Sequence, residues 1–400
     1  MIFFLEENDL FLELYSIFVP SINAKIKLYA MTQNDLFYLL ALQQVEGIGT
    51  ITAKKLLQHF GSPEAIFQAK KTELSKIDGI GKSTIANLHK KDYFEQAESE
   101  ILFLEKEDIT TFSFQCNEYP ERLKNCHDSP LLLFQSGNVN WNNSKIISIV
   151  GTRQITTYGT EFTKKLLEEI APLDPIIVSG FAYGVDIVAH QTAMDLNLQT
   201  IGVLAHGLNQ IYPKTHKKYM AKMQENGGFL TEFWTYSKPD RENFVKRNRI
   251  VAGISEATIV VESAERGGSL ITAEIANDYN REVFAVPGRA TDKYSQGCNN
   301  LIKTQRAQMI TSAADLVYLL NWDIKNKTTV ENKAIQKQLF VTLSEDEQKI
   351  YNYLQTKGKE LMDIIALDCD LPIFKISSIL LNMELKGVVR PLPGKMFEVI

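Results

Sequence analysis

Short unbroken apolar runs alternate with amphipathic stretches through the middle of the chain, from Lys145 onward. The runs at 146–150, 176–179, 200–204, 258–261 and 282–286 are rich in Ile and Val and predict strands covered on both faces. Between them, 159–169, 184–196 and 269–280 repeat apolar positions with the period of a helix. Such alternation predicts an α/β domain with a doubly wound, mostly parallel sheet, whose ligands lie beyond the carboxyl ends of the strands.

The pattern upstream is different. Val45-Glu-Gly47-Ile-Gly49 precedes the amphipathic Ala53-Lys-Lys-Leu-Leu57, and 32 residues later Ile77-Asp-Gly79-Ile-Gly81 precedes Ile85-Ala-Asn-Leu88. An apolar residue, a Gly-Ile-Gly turn and a helix, given twice, predict a helix-hairpin-helix (SAM-like) module over 31–92. Its turn amides suit a phosphate, and its faces equally suit packing or protein contact. A connector is expected over 93–143, with a helical stretch to about Glu107 and a short strand at 129–134. The α/β domain then takes 144–321, and the polar, lysine-rich 322–342 predicts a linker. Over 343–400, Ser344 and Glu347 have the spacing of a capping box. Further helical stretches and a strand-turn-strand follow, resembling a winged helix. Its recognition helix, about 373–386, carries Lys375 and Lys386 against Glu384, a poor composition for reading a major groove.

Residues 1–30 begin apolar but turn acidic at Glu6, Glu7 and Asp9, with no cation before Lys25, which excludes a signal peptide. The regular pattern opens at Met31, the expected natural start, with 1–30 a non-native extension. No stretch is long and apolar enough to span a bilayer, so no membrane is expected. At 400 residues two to four domains are expected, and the net charge of -5 confines any nucleic-acid surface to a local patch. Cys116, Cys126, Cys298 and Cys369 form no C-x-x-C pair and have no His at ligand spacing, which predicts plain thiols in a reducing cytoplasm and no metal.

Candidate chemistry collects at the expected strand ends. Three cations within four residues, Lys246, Arg247 and Arg249, precede the apolar run at 258–261, and Gly267, Gly268 and Ser269 follow it. Glycines and a helix start, with Ser269 as the expected N-cap, make an anion-binding edge. The first strand ends in Gly151-Thr-Arg153, which lacks the G-x-G-x-x-G dinucleotide fingerprint. Arg153 can grip a phosphate bidentately, or else pair with a carboxylate, and Tyr158 offers a stacking face. Asp186 and His190 share a helical face and read either as an acid/base pair or as a carboxylate orienting a buried imidazole. Lys214, Lys217, Lys218 and Lys222 form one basic cluster, and Lys238, Arg241, Lys246, Arg247 and Arg249 another. Tyr212, Tyr219 and Phe244 interleave with them, the composition of a single-strand groove in which cations track the backbone and rings stack bases. No nucleophile or cofactor loop accompanies these groups, so neither catalysis nor a cofactor is expected.

Together the motifs resemble the DNA-processing protein A family, DprA/Smf. They are Gly151-Thr-Arg153, Ser179-Gly180 with Gly184-Val-Asp186 and Ala189-His190, Tyr212-Pro213, Arg247-Asn248-Arg249 through Gly253, Gly267-Gly268-Ser269 through Ala273, 283–288 and 297–302. The resemblance implies an extended Rossmann-like domain that binds single-stranded DNA, flanked by the helical module and the winged helix. It also implies a homodimer that protects incoming strands in natural transformation and loads the RecA recombinase. By motif, Arg153 grips DNA and the Lys214 and Lys238–Arg249 regions extend the groove. Only Pro239 remains of the proline-rich stretch usual before Arg-Asn-Arg, and Asn280-Arg281 stands where Gly-Arg is common. The alternative is a Rossmann-like nucleotide phosphoribohydrolase, but Arg266-Gly-Gly-Ser-Leu lacks the Pro-Gly-Gly-x-Gly-Thr loop and following Glu of that class.

Overall fold

The structure, a computed structural model, describes residues 31–88, 92–322, 343–392 and 395–399. The expected extension 1–30 and the linker, apart from Trp322, lie outside the described residues. The chain divides into two units, Met1–Ile324 and Lys325–Ile400. Among the described residues, no helix is long and apolar enough to cross a membrane.

A nine-stranded sheet organises the first unit. Its strands are β1 (Thr110–Ser113), β2 (Leu132–Asn138), β3 (Ile146–Val150), β4 (Ile176–Ser179), β5 (Thr200–Val203), β6 (Gly227–Thr231), β7 (Ala257–Val260), β8 (Glu282–Ala285) and β9 (Gln308–Met309). They run in the order β1-β2-β6-β5-β4-β3-β7-β8-β9. From β6 to β9 every neighbouring pair is parallel, and β2 and β1 close one edge antiparallel. The unbroken apolar runs follow from burial on both faces. Ile146, Val150, Val178 and Ile201 enter one core cluster, while Ile147, Ile149, Ile177 and Ile259 enter the cluster on the opposite face. The chain leaves β3 toward β4, β5 and β6, then returns to its other side at β7. That reversal opens a crevice beyond the carboxyl ends of β3 and β7.

Strand β6 escapes the apolar-run criterion because it begins with Gly227 and Gly228, which read as a turn. Both adopt positive φ, +132° and +154°, and side chains there would run into the Thr200 and Ser136 carbonyls of the flanking strands. Glycine is what lets three backbones come together at this point.

In the helical module Gly47 and Gly79 take φ of +89° and +88°, and Gly49 and Gly81 cap the helices Thr50–Phe60 and Lys82–Asn87. The stretch expected as a connector contributes the helix Asp92–Lys106 to this module and β1 and β2 to the sheet. Polar ties fasten the module to the sheet. Lys54 Nζ donates to Ser129 Oγ (2.6 Å), Trp234 Nε1 donates to Gln43 Oε1 (2.9 Å), and the Glu100 carboxylate accepts from Thr235 N and Oγ1 (2.9 Å each).

The second unit has the helices Glu345–Lys357, Met362–Asp368 and Ile373–Leu385 around Ile350, Leu354, Ile365, Ile376 and Leu380. Strands β10 (Lys359–Leu361), β11 (Val389–Leu392) and β12 (Met396–Val399) form an antiparallel sheet in the order β10-β12-β11. Ser344 and Glu347 form the capping box, and Glu347 also accepts from Lys386 Nζ (2.6 Å).

Glu100 is 2% exposed, and burial pushes its carboxyl above the usual range. Glu100→Ala should cost about 1–3 kcal/mol, because it strands the buried Thr235 N–H. Urea unfolding of the full chain reads this directly, and an unchanged midpoint would refute the tie.

Candidate nucleic-acid interface

The crevice beyond β3 and β7 is a cleft of about 820 Å³. Gly151–Arg153 line it after β3, Gly180 and Ala182 after β4, and Ser263, Ala264 and Arg266–Thr272 after β7. The helix Arg241–Ile254 closes it with Arg241, Phe244, Arg247 and Asn248, and Tyr212 and Pro239 contribute to its wall. Asp240 starts that helix by accepting from Asn243 N (2.8 Å).

Phe244 is the centre of the arrangement. The Arg153 guanidinium lies 5.3 Å from its ring centroid, that of Arg247 5.8 Å, and Tyr212 meets it edge-on at 5.7 Å. Arg153 is exposed, whereas Arg247 is 4% exposed. Arg247 Nη1 donates to Gly180 O (2.6 Å) and to Val203 O, tying the ends of β4 and β5 to the helix. Burial pushes it down to about 10, with Asp186 opposing the shift and Arg153 adding to it. Arg247, expected to grip a phosphate, lines the cleft but has its Nη1 committed inward to two carbonyls.

Asp186 occupies the other side of Gly180. Its Oδ2 accepts from Gly180 N (3.1 Å) and Ala182 N (3.2 Å), and burial raises its pKa against the opposing pull of Arg247. A side chain at Gly180 would fall 2.5 Å from Arg247 Nη2 and 2.7 Å from Asp186 Oδ2. Neither reading of Asp186 with His190 holds. Thr200 Oγ1 donates to Ile177 O (3.0 Å), so it accepts from His190 Nδ1 (2.7 Å), and Nε2 is left without a partner in the interior. Burial pushes His190 down to about 3, with His216 and Arg247 adding to the effect.

The glycine-rich turn differs from expectation by one detail. Gly267, not Ser269, is the N-cap of the helix Gly268–Asp278, and no side chain caps it. Ser269 is instead buried, with its hydroxyl donating to Ser263 Oγ (3.0 Å). The open amides of the first turn, with exposed Arg266 beside them, face the cleft.

Of the expected site residues the cleft thus gathers Arg153, Arg241, Phe244, Arg247, Asn248, Gly267, Gly268 and Ser269. Lys214 and Lys217 are exposed on the turn Lys214–Tyr219, next to Tyr212, and Lys238 is exposed beside Pro239. None of these three lines the cleft itself. Tyr158 lines a separate hollow and donates its hydroxyl to Pro287 O (2.9 Å). Arg249 is turned to the opposite use: it pairs with Glu232 and donates to Asp128 O, both outside the cleft. Three helix positions separate Arg247 from Phe244 and two separate it from Arg249, so one face cannot present all of them. Arg266 was missed as a site residue, although its place directly before the glycines was the available signal.

Removing Arg247 leaves Asp186 buried without its compensating charge. Arg247→Ala should therefore cost about 3–5 kcal/mol, while surface Arg153→Ala should stay within about 0.5 kcal/mol. Urea midpoints compare the two, and equal losses would refute the inward placement. A second expectation concerns acid. As pH falls from about 6.5 toward about 3, the unfolded chain takes up a proton that folded His190 refuses, so stability is lost across that window and is intact above it. His190→Asn should make this acid limb shallower, and superimposable limbs would contradict the assignment.

Comparison with known proteins places this geometry. Residues 110–321 match the family described as DNA recombination-mediator protein A, 39–91 match a SAM-like helix-hairpin-helix tandem, and 338–395 match a DprA winged helix domain. Protein Smf of Synechocystis sp. is 31% identical over 406 residues, covering 92% of this chain and 100% of its own length. The DNA processing protein DprA of Bacillus subtilis is 40% identical over 52% of this chain and 70% of its own. The X-ray structure of DNA processing protein A from Streptococcus pneumoniae superposes with a TM-score of 0.58 at 30% identity, over 70% of this chain and 97% of that one. With more than half of its length matched to one family, and a relative of 31% identity spanning nearly all of it, the chain belongs to the DNA recombination-mediator protein A family, DprA/Smf, whose work is DNA processing in recombination.

Proposed function

We propose that this chain binds single-stranded DNA in the cleft beyond β3 and β7 and acts in the cytoplasm as a recombination mediator. It shields the strand and delivers it, as a homodimer, to the RecA recombinase. The observation that carries the binding reading is the exposed guanidinium of Arg153 held against Phe244, with Tyr212 at the same ring and uncapped helix amides lining the same cleft. The exposed Tyr212 ring beside this pair can stack any base, and the Arg153 cation meets the backbone, so the site takes strands without reading their sequence. A duplex offers no unstacked bases to such a face. Lys214, Lys217 and Lys238, exposed around the rim, extend the electrostatic path.

The test is fluorescence anisotropy of labelled single strands across a salt series, with a duplex of equal length as competitor. Arg153→Ala should weaken binding to every sequence alike, by roughly ten- to a hundredfold for the loss of a charge-assisted contact of about 1.5–3 kcal/mol. Its log–log salt slope should fall by about 0.7. Unchanged affinity removes Arg153 from the site, and wild-type protein that binds no single strand at low salt removes the reading itself.

A further inference from the structure

The carboxyl edge of the sheet carries a second hollow of about 1020 Å³, walled by Thr156–Tyr158, Glu262 and the loop that follows β8. It backs onto the first cleft through a shared partition. Gly151–Arg153 line one side and Thr156–Tyr158 the other, and Ser263 faces the first cleft while its neighbour Glu262 faces the second. The partition is well braced. Glu262 accepts from Thr156 N (2.9 Å) and Thr156 Oγ1 (2.5 Å), Ser263 N donates to Tyr294 O (2.6 Å), and the Tyr294 hydroxyl donates to Gln154. Gly159 makes room for this, since a side chain there would fall 2.5 Å from Glu262 Oε2.

The second hollow repeats the composition of the first. Tyr158 shows 48% of its surface, and the half-buried Tyr294 ring has Lys293 Nζ 5.4 Å from its centroid. Arg289 and Lys293 are exposed in its wall, with Asp292 offsetting one of them. Two stacking faces on separate elements, with two cations on the loop that carries one of them, suit consecutive nucleotides of one strand better than a single small molecule.

We propose that a single strand held in the first cleft crosses the Arg153–Gln154 ridge and continues into the second hollow. There its bases lie against Tyr158 and Tyr294, and its phosphates meet Arg289 and Lys293. This inference rests on the strand-binding reading above. Arg153, exposed at the ridge, is then the contact at the crossing and not the end of the path.

The test compares a short oligothymidine, long enough for one hollow, with a longer one able to span both, on the full chain. In the double variant Arg289→Gln, Lys293→Gln the longer strand should bind several-fold more weakly. Its salt slope should drop by about 1.4, two contacts at about 0.7 each, while the short strand is unaffected. Both substituted side chains are exposed, so the unfolding midpoint should match the wild type. A longer strand that keeps its affinity and slope overturns the second hollow and leaves the first standing. Wild-type protein that binds neither strand overturns the reading beneath it. An iodouracil-bearing longer strand gives an independent readout: photocrosslinks to the Tyr294 or Tyr158 peptide support the path, and crosslinks confined to Phe244 and Tyr212 refute it.

Discussion

Under the floor of the cleft, the guanidinium of Arg247 and the carboxylate of Asp186 lie on either side of Gly180, both largely withdrawn from water. Each charge alone would cost several kcal/mol to bury. The cost is offset because the two act on one residue from opposite sides: Asp186 accepts the Gly180 amide and Arg247 donates to the Gly180 carbonyl. A second Arg247 bond, to Val203 O, adds the end of β5. The loop after β4, the end of β5 and the helix Arg241–Ile254 are thereby locked as one body. Phe244 sits one helical turn before Arg247 and inherits its position from that lock, and the Arg153 guanidinium rests against Phe244. A surface cation on one strand end is thus oriented by a buried cation on another element.

The same constraint explains why two glycine-containing loops at one sheet edge behave differently. After β4, the amides of Gly180 and Ala182 are already satisfied by Asp186, an anion supplied by the chain. After β7, the helix Gly268–Asp278 begins without any side-chain cap, and its first turn opens into the cleft. Of the two loops, the second is the one whose open amides are free to meet an external anion. Glycine content alone would have ranked the two loops equally.

Much of the fold was legible because its signals are local or strictly periodic. The parallel strands announced themselves through burial on both faces, and the helical tandem through a repeated Gly-Ile-Gly turn whose first glycines do take positive φ. What escaped was set by partners distant in sequence. Strand β6 begins with two glycines because β2 and β5 press on it, which no window of the chain reveals. In the site, the run Lys246-Arg247-Asn248-Arg249 looked like one basic patch, but a helix sends its members to different places. Arg247 goes to the strand ends, Arg249 to Glu232 and Asp128, and Asn248 to the cleft. Their fates depend on carbonyls and carboxylates 17 to 121 residues away in the chain.

Charge placement follows from this division of labour. With a net charge of -5 the molecule as a whole repels a polyanion, so the attraction that the strand-binding proposal needs has to be built locally. Counting cations in the sequence overstates what is available, since Arg249 pairs with the Glu232 carboxylate and Arg247 donates to buried carbonyls beside Asp186. Exposed cations at the first cleft, among them Arg153, Arg241 and Arg266 lining it and Lys214, Lys217 and Lys238 nearby, lie on loops and helix ends after different strands. A surface assembled from so many separate elements keeps its spacing only if those elements are fixed to one another. The buried charges beneath it are what hold them at that spacing, so the arginines lost to the count of contacts are the ones that give the others a defined geometry.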